Sequence, residues 1–232
     1  FSMRHCLKLC GMGLPMGLQY SITAIGSVIL QTAVNDMGST YVAAVSAGSK
    51  ISMFMCCPFD AMGSTMATYG GQNVGARRLD RVDQGLKACI KMGIIYALVA
   101  LAFSIVFGKQ LALLFVKKEQ IELIGYIYEF VVINAAFYIF LALVNIVRFM
   151  IQGLGYSTFA ILAGICEMIA RSVAGFVLVP HFGFICVSLG SPLAWVCADL
   201  FLIPAYLWVM KQLRRKFGEN KISRAKSATA TI

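Results

Sequence analysis

Six long apolar runs, separated by short charged or Gly/Pro-containing breaks, limit this chain more than any other feature. They cover approximately Leu14–Val34, Tyr41–Thr68, Ala88–Val116, Ile121–Val147, Thr158–Val179 and Val187–Met210. A helix rises 1.5 Å per residue, so about 20 apolar residues cross the hydrocarbon of a bilayer, and each run meets that length. A soluble core of this size cannot use so much apolar sequence: 59% of the 232 residues are hydrophobic and 13% charged. The expected fold is therefore an all-α integral membrane protein with six transmembrane helices spanning residues 1–216, followed by a basic, disordered tail over 217–232. Pro58 inside the second run predicts a tilt or kink there, since proline removes a backbone donor.

Lysine and arginine set the expected orientation, because short cytoplasmic loops carry an excess of them. Arg4 and Lys8 precede the first run, and Arg77, Arg78, Arg81, Lys87 and Lys91 follow the second. Arg148 ends the fourth, and Lys211, Arg214, Arg215 and Lys216 follow the sixth. The opposite loops hold Lys109, Lys117 and Lys118, diluted by Glu119 and Glu122. Both termini are thus expected on the cytoplasmic side of a plasma membrane, and the net charge of +10 is mostly topology. Basic residues split among loops make no nucleic-acid-binding face, although the tail suits weak contact with anionic lipid.

Enzymatic and cofactor readings find little support. Gly11-Met-Gly13 and Gly153-Leu-Gly155 lack the glycine pattern and the preceding strand of a nucleotide fingerprint. No serine or cysteine nucleophile has a histidine and an acid at sensible spacing. His5, Cys6 and Cys10 fall short of the four ligands of a structural zinc site, with His181 expected on the other side. The other cysteines named by the runs, Cys56, Cys57, Cys89, Cys166 and Cys197, read as small hydrophobes.

What remains is polar residues within spans, which are costly in lipid and usually face a bundle interior or a water-filled path. The candidates for a substrate or ion pathway are Gln31, Asn35, Asp60, Glu129, Asn134, Asn145 and Asp199. Asp60 follows the expected proline kink, where freed carbonyls and a carboxylate can line a cavity or bond a neighbouring helix. Asn134 and Asn145 are eleven residues apart, about three turns, which places them on one stripe of the fourth helix. Asp199 has no partner on its own helix, which makes it either a proton carrier or an acid bonded across helices. Glu167 and Arg171 have the i, i+4 spacing of a structural ion pair, with substrate or proton handling as the alternative.

The residues also carry a family resemblance. The segments GLPMGLQYSITAIGSVILQTAVNDMGSTYVAAVSAGSKI, PFDAMGSTMATYGGQNVGARRLDRV, RFMIQGLGYS and SPLAWVCADLFLIPAY, with Glu167 and Arg171, resemble the multidrug and toxic compound extrusion (MATE) family from Lys8 to about Arg215. The most specific part is the block containing Gly71, Gln72, Asn73, Gly75 and Ala76, expected as a tight cytoplasmic turn between the second and third helices, with its glycines permitting the turn.

MATE transporters have twelve helices in two six-helix lobes, and the motif order resembles the second lobe, helices seven to twelve. The resemblance implies part of an antiporter, coupled to H+ or Na+, that exports small organic, often cationic, compounds by alternating access. It implies an N-terminal six-helix lobe as partner and no cofactor beyond the coupling ion. This lobe would rock against that partner while Gln31, Asn35, Asp60, Asn134 and Asn145 line a central cavity. Some members place an essential glutamate in the seventh helix, but Gln19 to Val34 contains no acid. That departure points to the branch whose coupling aspartate lies in the other lobe. Two alternatives share the helices: a lipid-linked oligosaccharide flippase of the same superfamily, which needs more cations in its cavity, and a non-transporting six-helix scaffold.

Overall fold

The computed structural model describes residues 2–229, without the side chains of Lys8, Met12 and those from Glu219 onward. The tail expected over 217–232 therefore falls mostly outside the described side chains. The helices are α1 (Met3–Met37), α2 (Ser39–Gly75), α3 (Leu79–Ala112), α4 (Ile121–Ala136), α5 (Tyr138–Gly153), α6 (Thr158–Val173), α7 (Val179–Phe182) and α8 (Phe184–Thr229), with a π-helical turn at Ala174–Leu178 joining α6 to α7. Among the described residues there is no strand. Five helices or helix pairs are long and apolar enough to cross a membrane by themselves, and α4 with α5 makes a sixth when the bent pair is one span.

The fourth span departs from the continuous helix expected over Ile121–Val147: α4 and α5 meet at 51°. No proline sits at the break. Asn134, three residues before it, donates its side-chain amide to the Phe130 carbonyl at 2.8 Å and to the Ser188 carbonyl of α8 at 3.3 Å. A side chain that competes for helix carbonyls is a recognised source of a bend. The Phe137 N–H then closes a tighter turn onto the Asn134 carbonyl at 3.1 Å. Pro58, by contrast, lies inside a single helix α2. Near it the Met55 carbonyl accepts a hydrogen bond from Tyr96 of α3 at 3.0 Å, so a neighbouring span supplies a donor beside the proline.

The spans pack in two groups: α2 is flanked by α3, α4 and α5, and α6 lies between α1 and α8. One apolar core gathers Phe59, Tyr138, Met150, Ile151 and Leu202, and a second gathers Val34, Ile51, Ile127, Val131 and Val187. Leu14, Leu18, Ile25 and Val28 of α1, with Ile95, Val99 and Val106 of α3, point outward instead. In water such faces would drive aggregation, but on membrane-crossing helices apolar outward faces suit contact with lipid or with other spans.

Contact between α2 and α5 depends on missing side chains. A Cβ on Gly63 would meet Phe149 at 2.7 Å and the Asn145 carbonyl at 3.2 Å, and one on Gly70 would meet the Met150 sulfur at 2.6 Å. Gly71 and Gly153 bring the two backbones together, Gly153 against Ala67 and Gly71 against the Gly153 carbonyl. Without a hydrophobic drive between helices in lipid, close backbone packing of this kind is a main source of association.

The glycine-containing motif is correspondingly not the turn expected from sequence. Gly71, Gln72, Asn73 and Gly75 are the last residues of α2, and Ala76 caps it. The left-handed position belongs to Arg77, at φ 57°. Its N–H bonds the Val74 carbonyl at 3.0 Å, and the Arg78 N–H bonds the Asn73 carbonyl at 2.8 Å, the double closure of a Schellman motif. The helix end is thus closed by an arginine, while Gly70 and Gly71 before it serve helix packing. Arg78 then pairs with Asp80 in the first turn of α3 at 3.1 Å, and that hydrogen bond holds the Asp80 carboxyl below the usual range.

Candidate functional site: a buried polar cluster

Four helices contribute polar side chains to the lobe interior at one level. Glu167 of α6 is 2% exposed, and its carboxylate is shared by two arginines: Arg148 of α5 pairs with one oxygen and Arg171 of α6 approaches the other at 3.4 Å. The i, i+4 pair expected from sequence is present, and a second cation joins it. Arg148, counted at the sequence level as the loop end of the fourth span, is 5% exposed. The length of α5 accounts for that shift, since the helix runs on past Arg148 through Gly153.

Asp199 of α8 lies within electrostatic reach of Arg148 and is 4% exposed. Neither of its carboxylate oxygens has a hydrogen-bond partner among the described residues. The Nε groups of Arg148 and Arg171 are similarly unpaired. Buried polar atoms without partners are costly, so a cluster holding several is polar enough to take up water or an ion. Beside it the Gln152 side-chain amide of α5 donates to the side-chain oxygen Oε1 of Gln19 on α1 at 2.8 Å, with both residues buried. Arg171 also reaches the Thr23 carbonyl of α1 at 3.4 Å. The cluster thus ties α1, α5, α6 and α8 through charge and amide contacts.

The remaining pathway candidates do not converge on it. Asn145 of α5 donates to the Asp60 carboxylate of α2 at 2.9 Å, which joins two of the expected residues at an exposed position on α2. Gln31 and Asn35 bond each other along α1 at 3.1 Å. Asn134 is 3% exposed and spends its amide on carbonyls of α4 and α8. The expected stripe joining Asn134 to Asn145 is broken by the bend between α4 and α5, which aims one at α8 and the other at α2. Glu129 is half-buried on α4 and makes no hydrogen bond or ion pair among the described residues. No group of three or more His, Cys, Asp or Glu side chains comes together among the described residues to hold a metal ion.

Sequence reasoning missed Arg148, Gln152 and Asp83. Asp83 of α3 accepts from Tyr206 at 3.0 Å and pairs with Arg214, clasping α3 to α8 at the end of the lobe that carries the Arg77 turn. The signal for Arg148 and Gln152 was their i, i+4 spacing on an apolar helix, which puts them on one face.

Fold and site together define a polytopic helical membrane protein whose packed spans enclose a charged interior. The MatE family profile matches residues 15–177, and the chain belongs to that family of multidrug transporters. The probable multidrug resistance protein YoeA of Bacillus subtilis (strain 168) is 22% identical over 112 residues, covering 48% of this chain and 24% of YoeA. A multidrug resistance MATE family transporter of the MOP superfamily, in its outward-facing conformation, superposes with a TM-score of 0.83 at 21% identity, over 93% of this chain and 49% of that one. Its inward-facing counterpart gives 0.75 at 19% identity, over 93% and 50%. A MOP superfamily transporter from Pyrococcus furiosus, described as having a binding pocket of reverse polarity that suggests a different function, gives 0.72 at 16% identity, over 84% and 43%. The fold is that of one lobe of a MATE transporter, and the chain spans about half the length of these solved relatives.

Proposed function

We propose that the chain is the second, C-terminal lobe of an exporter of small organic compounds, working in a plasma membrane with both ends of the lobe in the cytoplasm. Its partner is an N-terminal six-helix lobe, and transport is antiport against H+ or Na+ by alternating access between the two. The observation that carries this reading is the 93% coverage of this chain by about half of a multidrug MATE transporter. The basic residues at one end of the lobe, Arg77, Arg78, Arg81 and Arg214, support the orientation.

Asp60 is the residue best placed to meet cargo or the opposite lobe. It is exposed on α2 but held in orientation by Asn145. An acid in a membrane helix without a cation partner is costly, and a role in ion or cation handling accounts for its presence. The flippase alternative is not favoured, since both interior arginines, Arg148 and Arg171, are engaged by Glu167.

Uptake of a fluorescent organic cation into inverted vesicles containing the full-length protein tests the reading, with Asp60→Asn and Asn134→Ala compared against the unaltered protein. Asp60→Asn should abolish cation-driven uptake at unchanged protein level. Asn134→Ala should weaken it through the α4–α8 contact. Unchanged uptake in both variants removes these residues from the transport path.

A further inference from the structure

A cavity of about 140 Å³ opens where α1, α2, α4, α6 and α8 converge. Its polar lining is Ser27 and Gln31 of α1, Ser49 of α2, Arg171 of α6 and Ser191 of α8, and it contains no carboxylate. The rest is apolar, with Leu30, Val34 and Val45 on one side and Phe130 and Val187 on the other. The volume is well below the ~300 Å³ at which organic ligand pockets begin. It admits a few water-sized groups.

The lining offers several uncommitted donors. Arg171 is 6% exposed, and its Nε has no partner among the described residues. Its one carboxylate partner among the described residues, Glu167, lies at 3.4 Å and is shared with Arg148. Ser49 and Ser191 make no hydrogen bond among the described residues, so both hydroxyls are free to donate into the space. Gln31 uses one amide N–H on Asn35 and keeps the second. Ser27 spends its proton on the Thr23 carbonyl and contributes none.

We propose that this cavity binds a small monovalent anion, of which chloride is the natural example, between the Arg171 guanidinium and the Ser49 and Ser191 hydroxyls. A guanidinium that shares its carboxylate with another cation, in a buried space, is stabilised by an anion placed beside it. One guanidinium and neutral donors match a single negative charge. A divalent oxyanion would demand more charge than one guanidinium, itself shared with Glu167, supplies. The site lies within the lobe, separate from the Asp60–Asn145 pair, and does not depend on which cargo is exported.

The experiment uses the intact protein purified in detergent, with bromide and chloride as the probes. Crystals grown in sodium bromide should show an anomalous bromine peak in the cavity beside Arg171. At constant ionic strength, chloride should raise the melting temperature relative to gluconate. Loss of Arg171 would also unbalance Glu167, so the discriminating variant is Ser49→Ala with Ser191→Ala, which touches no ion pair. In it the bromine peak should vanish and the chloride concentration needed for half-maximal stabilisation should rise at least tenfold. An empty cavity in bromide, equal stability in chloride and gluconate, or a peak and a chloride response that survive in the double variant would each overturn the proposal.

Discussion

Arg148 and Arg171 approach Glu167 from two different helices, so a single buried carboxylate is shared between a cation of α5 and one of its own helix α6. The arrangement makes the three residues unequal. Removing Arg148 leaves Glu167 and Arg171 still paired, whereas removing the acid leaves two guanidinium groups facing each other in the core. Breaking a buried pair costs about 3–5 kcal/mol, because the surviving charge stays buried without compensation. Glu167→Gln should therefore destabilise the purified protein more than Arg148→Gln, read as melting temperature in detergent. Equal losses, or a larger loss for Arg148→Gln, would show that the carboxylate is not the centre of the cluster.

Gln19 and Gln152 are 133 residues apart in sequence and meet through one hydrogen bond inside the lobe. Truncating one partner leaves a buried polar atom without its bond, a cost of about 1–3 kcal/mol. Gln152→Ala alone should show that loss. Replacing both by leucine should restore most of it, because two apolar side chains leave no orphan. A double variant as unstable as Gln152→Ala would mean that packing volume, and not the hydrogen bond, makes these glutamines matter.

The α2–α5 seam gives a graded test. A Cβ at Gly153 would run into the Ala67 backbone, which cannot rotate aside, whereas one at Gly75 meets nothing within 4 Å. Gly153→Ala should cost about 1–3 kcal/mol through overpacking. Gly75→Ala should be neutral or gain up to about 1 kcal/mol from helix propensity. Thermal unfolding of the two variants side by side decides it, and similar melting temperatures would show that the seam is looser than these backbone positions require.

Much of the fold was legible because apolar length is a strong signal. The runs ending in Val34, Thr68 and Met210 all lie inside long helices, and Glu167 and Arg171 met as their spacing required. What stayed hidden depended on partners far away in sequence. Nothing near Asn134 marks a bend, since the bend accompanies a carbonyl on α8, Ser188, as well as one on its own helix. Arg148 looked like a loop cation because its counter-charge lies on another helix, 19 residues further on. Gly70 and Gly71 looked like turn residues because a glycine needed for close approach and one needed for backbone freedom are the same letter. Only the neighbouring Met150 and Gly153 distinguish the two roles.

That ambiguity leads to the turn itself. Arg77 holds a left-handed backbone conformation that costs a side-chain-bearing residue about 1–2 kcal/mol relative to glycine. Its guanidinium also sits over the Phe217 ring at 5.8 Å, so replacing it changes two things at once. Comparing Arg77→Gly with Arg77→Ala separates them, because both lack the cation and only the alanine keeps the backbone strain. Arg77→Gly should be the more stable of the two by about 1 kcal/mol, measured as the difference in melting temperature. The Schellman closure through Asn73 and Val74 should persist in both, since it uses main-chain groups alone. Identical stabilities would mean that the turn relaxes out of the left-handed region once the arginine is gone, and that the contact with Phe217 is what holds it there.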